Sequence, residues 1–170
     1  MTKNSSQALF EPQGVAFNPV KRSLATVRRI VLTVFFLFFA ATPVFLLSLG
    51  IPELSPELVY GVIGGLVLVW LYFFWLIGRQ VRNLAWAEGE HDFLIRRGAF
   101  FRSMTIVPYG RIQYVDVSEG PIARMFGISS IVIHTASTET SARLHGIPSE
   151  QAAVLRDLLA QRGSAEMAGL

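Results

Sequence analysis

The chain contains no cysteine among its 170 residues, and charged residues are scarce. Without cysteine, neither a disulfide nor a thiolate metal site nor a cysteine nucleophile can form. Charged residues make up 16% of the chain and hydrophobic residues 52%, whereas soluble domains carry about 25% charged residues. We therefore expect part of the apolar sequence to contact lipid. The length suits one compact domain with an anchor, not two full domains.

Motifs for catalysis and cofactor binding are also missing. The sequence has no nucleophile elbow, phosphate-binding loop or dinucleotide fingerprint. Its three histidines, His91, His134 and His145, do not have the spacing of a metal motif and are expected to be structural or exposed. Asp116 and Glu119 fit the end of a strand better than an acid and base pair. The sequence predicts no enzyme, no cofactor and no metal site.

Two uncharged stretches predict membrane-spanning helices. They cover residues 30–50, IVLTVFFLFFAATPVFLLSLG, and residues 58–78, LVYGVIGGLVLVWLYFFWLIG. Each is long enough, at 1.5 Å per residue, to cross a hydrocarbon core of about 30 Å. The short connection between them predicts an antiparallel helical hairpin. A cleaved signal peptide is the rival interpretation of the first stretch, but this apolar run is longer than the core of a signal peptide.

The charges that flank the two stretches predict their orientation. Arg28 and Arg29 precede the first stretch, Arg79 and Arg82 follow the second, and the connection carries only glutamates. Basic flanks favour the cytoplasmic side of a membrane. We expect a multi-pass protein of the cytoplasmic (inner) cell membrane, with both termini and the domain that follows the helices in the cytoplasm.

Gly61 and Gly65 form a GxxxG pattern in the second stretch. Small residues at this spacing let two membrane helices approach closely. The favoured partner is the first helix of the same hairpin. The alternative is a second copy of the chain in a homo-oligomer.

The remainder of the sequence predicts a mainly β domain. Short runs rich in β-branched and aromatic residues alternate with turn signals. They predict strands at residues 83–87, 92–97, 100–107, 111–117, 129–136 and 141–145, with one helical turn at 122–127. Ala152, Leu155 and Leu159 recur at helical spacing and predict a closing helix over residues 149–161, with Gly163 as its stop. This order favours a curved sheet or open barrel plugged by a helix.

These patterns divide the chain into four parts. Residues 1–23 are expected to be a disordered cytoplasmic tail and residues 24–79 the transmembrane hairpin. The β domain is assigned to residues 80–162. Residues 163–170 are expected to be a flexible tail.

Over residues 24–161 the sequence resembles bacterial membrane proteins with a pleckstrin-homology-like (PH-like) domain, the YdbS-like family. The resemblance rests on the order of two spans and a domain, on LIRRGAFFR at residues 94–102, and on VPYGRIQYVDVSEGPIARMFGISSIVIHTAS at residues 107–137. It implies a PH-like barrel capped by a C-terminal helix. In lipid-binding eukaryotic PH domains the first hairpin loop is basic. The corresponding loop is predicted at residues 87–91, AEGEH, whose charge opposes an inositol phosphate.

Five arginines are candidates for contacts with lipid or a partner, because guanidinium groups match phosphates and carboxylates. Solvated charges on strand faces are the alternative interpretation. Arg111 and Arg124 are the foremost candidates. The full set is Arg96, Arg97, Arg102, Arg111 and Arg124.

PH-like folds carry lipid-binding, peptide-binding and scaffolding functions, so the fold alone does not define the role. We expect a non-enzymatic, membrane-anchored module that binds a protein partner in a membrane-associated assembly. Binding of anionic lipid headgroups is the alternative, and an enzyme without a recognisable motif is a more distant one. Residues 79–170 hold ten arginines against nine acidic residues. This near-neutral domain makes nucleic acid an unsuitable partner.

Overall fold

The computed structural model describes residues 15–50, 55–136 and 141–169. The chain divides into two compact units. The helical unit is Ala25–Arg79, and the β-rich unit combines the chain up to Leu24 with the chain from Gln80 onwards.

The helical unit consists mainly of two long apolar helices, which confirms the predicted spans. Helix α1 is Ser23–Ser48 and helix α2 is Pro56–Arg82, and both are long and apolar enough to cross a membrane. Trp70 Nε1 donates a hydrogen bond to Thr33 Oγ1 at 3.2 Å. The Arg29 guanidinium lies 4.2 Å from the centre of the Phe74 ring. These contacts join the first turns of α1 to the second half of α2.

Gly61 and Gly65 do not make the contact predicted for them. Both are exposed, and a Cβ atom at either position would meet no described atom within 4 Å. The prediction that this glycine pair packs against the first helix is therefore wrong for the described residues, and the homo-oligomer alternative stays a prediction. Contacts with α1 are made by Trp70, which donates to Thr33 Oγ1, and by Phe74, whose ring lies beside the Arg29 guanidinium.

The β-rich unit is built from two antiparallel sheets and a C-terminal helix, which confirms the predicted PH-like architecture. Its elements are β1 Asn18–Pro19, β2 Ala85–Glu88, β3 Asp92–Arg97, β4 Ser103–Pro108, a 3₁₀ turn Tyr109–Arg111, β5 Ile112–Ser118, α3 Pro121–Met125, β6 Ile128–Thr135, β7 Ala142–Pro148 and α4 Ser149–Ala168. The strands are ordered β1-β2-β3-β4 in one sheet and β5-β6-β7 in the other.

Side chains that alternate along the strands form the core between the sheets and α4. Phe93 and Ile95 of β3 and Ile131 and Ile133 of β6 are fully buried. Successive strand residues point to opposite faces, so each pair two residues apart enters the core together. Leu159 of α4 is also fully buried, which makes the helix part of the core and not an appendage.

The first strand of the sheet lies before the membrane helices. Asn18 pairs with Trp86, and Val20 and Leu24 are each only 6% exposed. Residues 18–20 therefore belong to the β-rich unit, and the prediction of a disordered tail is wrong for them. A two-residue strand with a proline is too short to show strand periodicity in the sequence. Residues 1–14 of the predicted tail lie outside the described residues.

This topology also changes the identity of the first hairpin loop. Because β1 precedes α1, the connection between the first and second strands contains both membrane helices. The turn at residues 87–91, assigned as the first loop, is instead the connection from β2 to β3. The basic first loop of eukaryotic PH domains therefore corresponds to the connection that contains the helices and not to residues 87–91.

The C-terminal helix continues beyond its predicted stop. Helix α4 extends to Ala168, so the flexible tail predicted from residue 163 is wrong for the described residues. Gly163 is buried, and a Cβ atom there would lie 3.3 Å from the carbonyl oxygen of Tyr109. This glycine permits close approach of helix and 3₁₀ turn, which the sequence pattern cannot distinguish from a helix end.

The third predicted strand begins later than expected. Phe100 and Phe101 lie in the turn between β3 and β4, and β4 starts at Ser103. Gly98 adopts a φ of +140°, and a Cβ atom there would collide with the carbonyl oxygen of Phe101. The turn is longer than predicted because its backbone folds back over this glycine.

Candidate functional site

An open groove lies between α4 and the first two strands of the β-rich unit. Its volume is about 480 Å³. It is lined by Asn18, Pro19, Trp86, Glu88, Glu150, Gln151, Val154, Leu155 and Leu158.

The groove combines apolar surface with two carboxylates. Trp86 is 8% exposed and contributes a largely buried side chain, whereas Val154 of α4 is 68% exposed. Glu88 and Glu150 supply the negative charge, and Glu88 Oε2 lies 3.9 Å from Arg162 Nη2. An exposed valine beside an apolar groove is suited to contact with another molecule. The carboxylates favour an occupant with positive charge.

A buried tyrosine and an arginine fasten the other part of α4 to the sheet. Tyr109 is fully buried and its hydroxyl donates to the carbonyl oxygen of Gly89 at 3.3 Å. Arg162 Nη1 donates to the same carbonyl and to the Tyr109 hydroxyl, each at 3.0 Å. Burial raises the pKa of Tyr109, and the Arg162 cation opposes this effect. These groups are satisfied within the fold, so we assign them a structural role.

The same helix contacts the β2–β3 turn and the segment after β4. Glu166 Oε1 lies 3.3 Å from His91 Nδ1, and Glu166 Oε2 accepts a hydrogen bond from the Gly110 backbone N–H at 2.9 Å. The turn also contains Glu88 and Glu90. This concentration of carboxylates makes the turn unsuitable for a phosphate ligand.

The other two histidines contact polar neighbours on the second sheet. His134 Nε2 lies 3.2 Å from Asp116 Oδ2, and its ring stacks on Tyr114 with centres 4.2 Å apart. His145 Nδ1 lies 2.8 Å from Ser130 Oγ. Within residues 15–50, 55–136 and 141–169, no group of three or more potential metal-ligating side chains comes together.

Glu119 forms hydrogen bonds with two serines. Ser129 Oγ donates to Glu119 Oε1 at 2.5 Å and lies 2.9 Å from Ser149 Oγ. Hydrogen bonds from Ser129 and Ser149 lower the pKa of Glu119. The carboxylate therefore ties the β5–α3 connection to β6 and to the start of α4.

Three of the five candidate arginines lie around the β3–β4 turn, and two of them stabilise the fold. Arg97 Nη2 donates a hydrogen bond to the carbonyl oxygen of Arg143, and burial lowers the pKa of Arg97. The Arg96 guanidinium lies 4.5 Å from the centre of the Phe17 ring. Arg102 is exposed at the end of the turn.

Arg111 and Arg124 do not form a common site. Both are exposed, but Arg111 directly precedes β5 and Arg124 lies in α3, which follows it. A seven-residue strand at about 3.3 Å per residue separates them by roughly 20 Å. The structure thus does not unite the two foremost candidates.

Sequence reasoning missed the groove and the exposed β3–β4 turn. The groove depends on β1, which pairs with β2, and both membrane helices lie between these two strands in the sequence. No local sequence signal therefore predicts the groove. The turn did carry a signal. Gly98 and two adjacent phenylalanines interrupt the alternation expected of a strand.

In the part of the chain that the structure describes, two apolar helices, a seven-stranded antiparallel sandwich and a C-terminal helix define a membrane protein with a PH-like domain. The chain belongs to the bacterial PH domain family, whose model matches residues 29–163. It is similar to the UPF0699 transmembrane protein YdbS of Bacillus subtilis (strain 168), with 32% identity over 111 residues that cover 62% of this chain and 67% of the relative. No solved structure matches the chain.

Proposed function

We propose that this protein is a non-enzymatic, membrane-anchored module whose PH-like domain binds a partner protein in the cytoplasm. The groove between α4 and the β1–β2 edge carries the proposal. Family membership and the two apolar helices support a membrane-associated PH-like module. The partner-binding role is inferred from the chemistry of the groove.

The groove fits a peptide segment better than an anionic lipid headgroup. A volume of about 480 Å³ lies within the range of about 300–1,000 Å³ for sites that hold compact ligands. Its apolar lining includes Trp86, Val154 and Leu158, and its described lining carries two carboxylates but no lysine or arginine that could bind phosphate. A partner segment with apolar side chains and a lysine or arginine beside them matches both properties.

Site-specific photocrosslinking tests the groove. A photoreactive amino acid replaces Val154 in the full-length protein in native membranes, and the crosslinked peptides are identified by mass spectrometry. The matched control carries the same amino acid at Ala160, an exposed position of α4 outside the groove lining. We expect a basic, apolar protein segment crosslinked at 154 and absent at 160.

Introducing a positive charge into the groove provides a second test of partner binding. Val154→Arg should abolish the crosslinked complex when the photoreactive group is placed at Leu158, because the new cation repels a basic segment. Ala160→Arg adds the same charge to the same helix and should leave the complex intact. Adducts with lipid alone, or a complex insensitive to Val154→Arg, would contradict the partner-binding role.

The cytoplasmic location is tested separately by cysteine labelling, which the cysteine-free chain makes unambiguous. Glu57→Cys lies at the start of α2, and Met167→Cys is 53% exposed near the end of α4. A membrane-impermeant maleimide applied to intact cells should label position 57 and should reach position 167 only after lysis. The reverse pattern would place the domain outside.

A further inference from the structure

The two most exposed large apolar side chains described in the β-rich unit are each adjacent to an arginine. Phe101 is 93% exposed and Met125 is 84% exposed. Arg102 follows Phe101 in the β3–β4 turn, and Arg124 precedes Met125 in α3. Two separate connections thus present the same combination of an apolar side chain and a cation to the surroundings.

The β3–β4 turn is fixed in a conformation that presents its aromatic residues. Gly98 has a φ of +140° that a side chain rarely allows, so the turn is not a relaxed strand end. Arg96 and Arg97 make contacts that hold the base of the turn. Phe100, although it contacts a neighbour, is still 58% exposed.

Strand register places this turn at the end of the sheet where the chain enters and leaves the membrane helices. Pro19, the last residue of β1, pairs with Ala85, the first residue of β2, and Ala85 also pairs with Arg96. Helix α1 begins at Ser23 and α2 ends at Arg82. The β3–β4 turn therefore continues from the same sheet end as both connections to the helices.

Helix α3 lies beside the first of these connections. Lys21, between β1 and α1, donates a hydrogen bond from Nζ to the carbonyl oxygen of Phe126 at 3.1 Å. Its backbone N–H donates to the carbonyl oxygen of Gly146 at 2.8 Å. Met125 and Arg124 are thus close in the fold to the segment that enters α1.

We propose that the β3–β4 turn and α3 form a lipid-contacting surface, composed of Phe100, Phe101, Arg102, Arg124 and Met125, which binds the interfacial layer of an anionic bilayer. Aromatic and apolar side chains lower their free energy when they leave water for this layer, and arginines beside them can bind lipid phosphates. The chain is already anchored by its helices, so contact with the bilayer is effectively intramolecular and needs little additional affinity. This surface shares no residue with the groove lining, so the proposal does not depend on a protein partner.

Environment-sensitive dyes on single cysteines test the proposal in the full-length protein. Phe101→Cys and Met125→Cys are labelled and the protein is reconstituted in nanodiscs of phosphatidylcholine and phosphatidylglycerol. Met167→Cys is the matched control, because it is an exposed apolar residue next to Glu166. Glu166 contacts Gly110, which follows the C-terminal end of β4, whereas the β3–β4 turn precedes its N-terminal end.

We expect blue-shifted emission at positions 101 and 125, quenching by spin-labelled lipid, and protection from aqueous iodide. Position 167 should show none of these effects. Equal iodide quenching at all three positions would overturn the proposal. Protection at 101 and 125 in native membranes, but not in nanodiscs of lipid alone, would also overturn it, because a protein would then be the occupant.

The contribution of the two cations is measured in the same system. Arg102→Gln with Arg124→Gln should reduce lipid quenching at position 101 in anionic nanodiscs and should leave it nearly unchanged in nanodiscs of phosphatidylcholine alone. High salt should reduce the signal of the unsubstituted surface in the same direction. Lipid quenching that is insensitive to both the substitutions and the salt would contradict a role for anionic lipid.

Discussion

Replacing Arg162 by methionine is expected to lower the free energy of unfolding of the β-rich unit by about 2 kcal/mol. Arg162 Nη1 donates two hydrogen bonds of 3.0 Å, and the guanidinium lies 5.0 Å from the centre of the Tyr109 ring. Hydrogen bonds to a charged group contribute roughly 1.5–3 kcal/mol and an exposed cation–π contact about 0.5–1 kcal/mol. The arginine side chain is 40% exposed, so solvent screening reduces the sum.

A double-mutant cycle isolates the hydrogen bond between Arg162 and Tyr109. Tyr109→Phe keeps the ring in place and removes only the hydroxyl, which should cost about 1 kcal/mol. Because both single variants lose the same bond, the double variant should be less destabilised than the sum by roughly 1 kcal/mol. Additive effects would refute the hydrogen bond as a source of stability.

Trp86 supplies the assay, since it is the tryptophan of the β-rich unit while Trp70 and Trp75 lie in α2. With the latter two replaced by phenylalanine, Trp86 emission in full-length, detergent-solubilised protein reports the melting of the unit. A loss of 2 kcal/mol should lower Tm by about 8–16 °C for a domain of this size. A change below about 2 °C for Arg162→Met would refute the assigned role of the arginine.

The same tyrosine predicts a dependence on alkaline pH. The pKa of Tyr109 in the folded chain is raised above its usual 10.0, because burial disfavours the phenolate. Its contribution to stability is therefore complete below about pH 10 and is lost as the pH rises through the folded pKa. Tyr109→Phe should reduce the alkaline loss of Tm measured by Trp86 emission. An unchanged alkaline slope would show that other groups cause it.

Three further substitutions test how the β-rich unit is held together. Gly98→Ala should destabilise the unit by roughly 1–3 kcal/mol, because the φ of +140° at this position is unfavourable for alanine and the new Cβ would collide with the Phe101 carbonyl. A lower Tm is expected, and an unchanged Tm would contradict the turn geometry. Leu24→Ala should lower the free energy of unfolding by about 2–4 kcal/mol, since Leu24 is 6% exposed and packs against Gly146. Urea unfolding followed by Trp86 emission measures this loss. An unchanged unfolding curve would contradict the burial of Leu24 in the core. Hydrogen bonds from Ser129 and Ser149 hold the pKa of Glu119 below its usual 4.5, so its contribution to stability is present above pH 4.5 and is lost as the pH falls through the folded pKa. Glu119→Gln should therefore reduce the loss of Tm at acidic pH. An unchanged acid loss of Tm would argue against these hydrogen bonds.

The membrane helices could be predicted from the sequence because lipid imposes a local requirement. A span needs about 20 consecutive apolar residues and internal backbone hydrogen bonds, and both conditions are visible within a single stretch. Most strands were predictable for a similar reason. The pattern around Phe93 and Ile95 reflects burial on one face, which depends on neighbours two residues away.

The candidate sites were much less accessible to sequence reasoning. Arginine chemistry nominated five residues, but Arg97 makes a hydrogen bond within the fold, and Arg111 and Arg124 lie on either side of β5. A residue type indicates which ligands a side chain can bind, but the distances between side chains decide whether a site exists. Those distances arise from pairings far apart in the chain.

The sequence by itself determined the two spans, the mainly β domain and its closing helix, since hydrophobic length and periodicity are properties of contiguous residues. Only the tertiary structure decided that Asn18 pairs with Trp86 although both membrane helices lie between them in the sequence. It also decided that α4 continues past Gly163 and that Phe101 is exposed and not part of a strand. Each of these outcomes depends on a nonlocal pairing or a close backbone approach, whose free energy comes from residues that the local sequence does not identify.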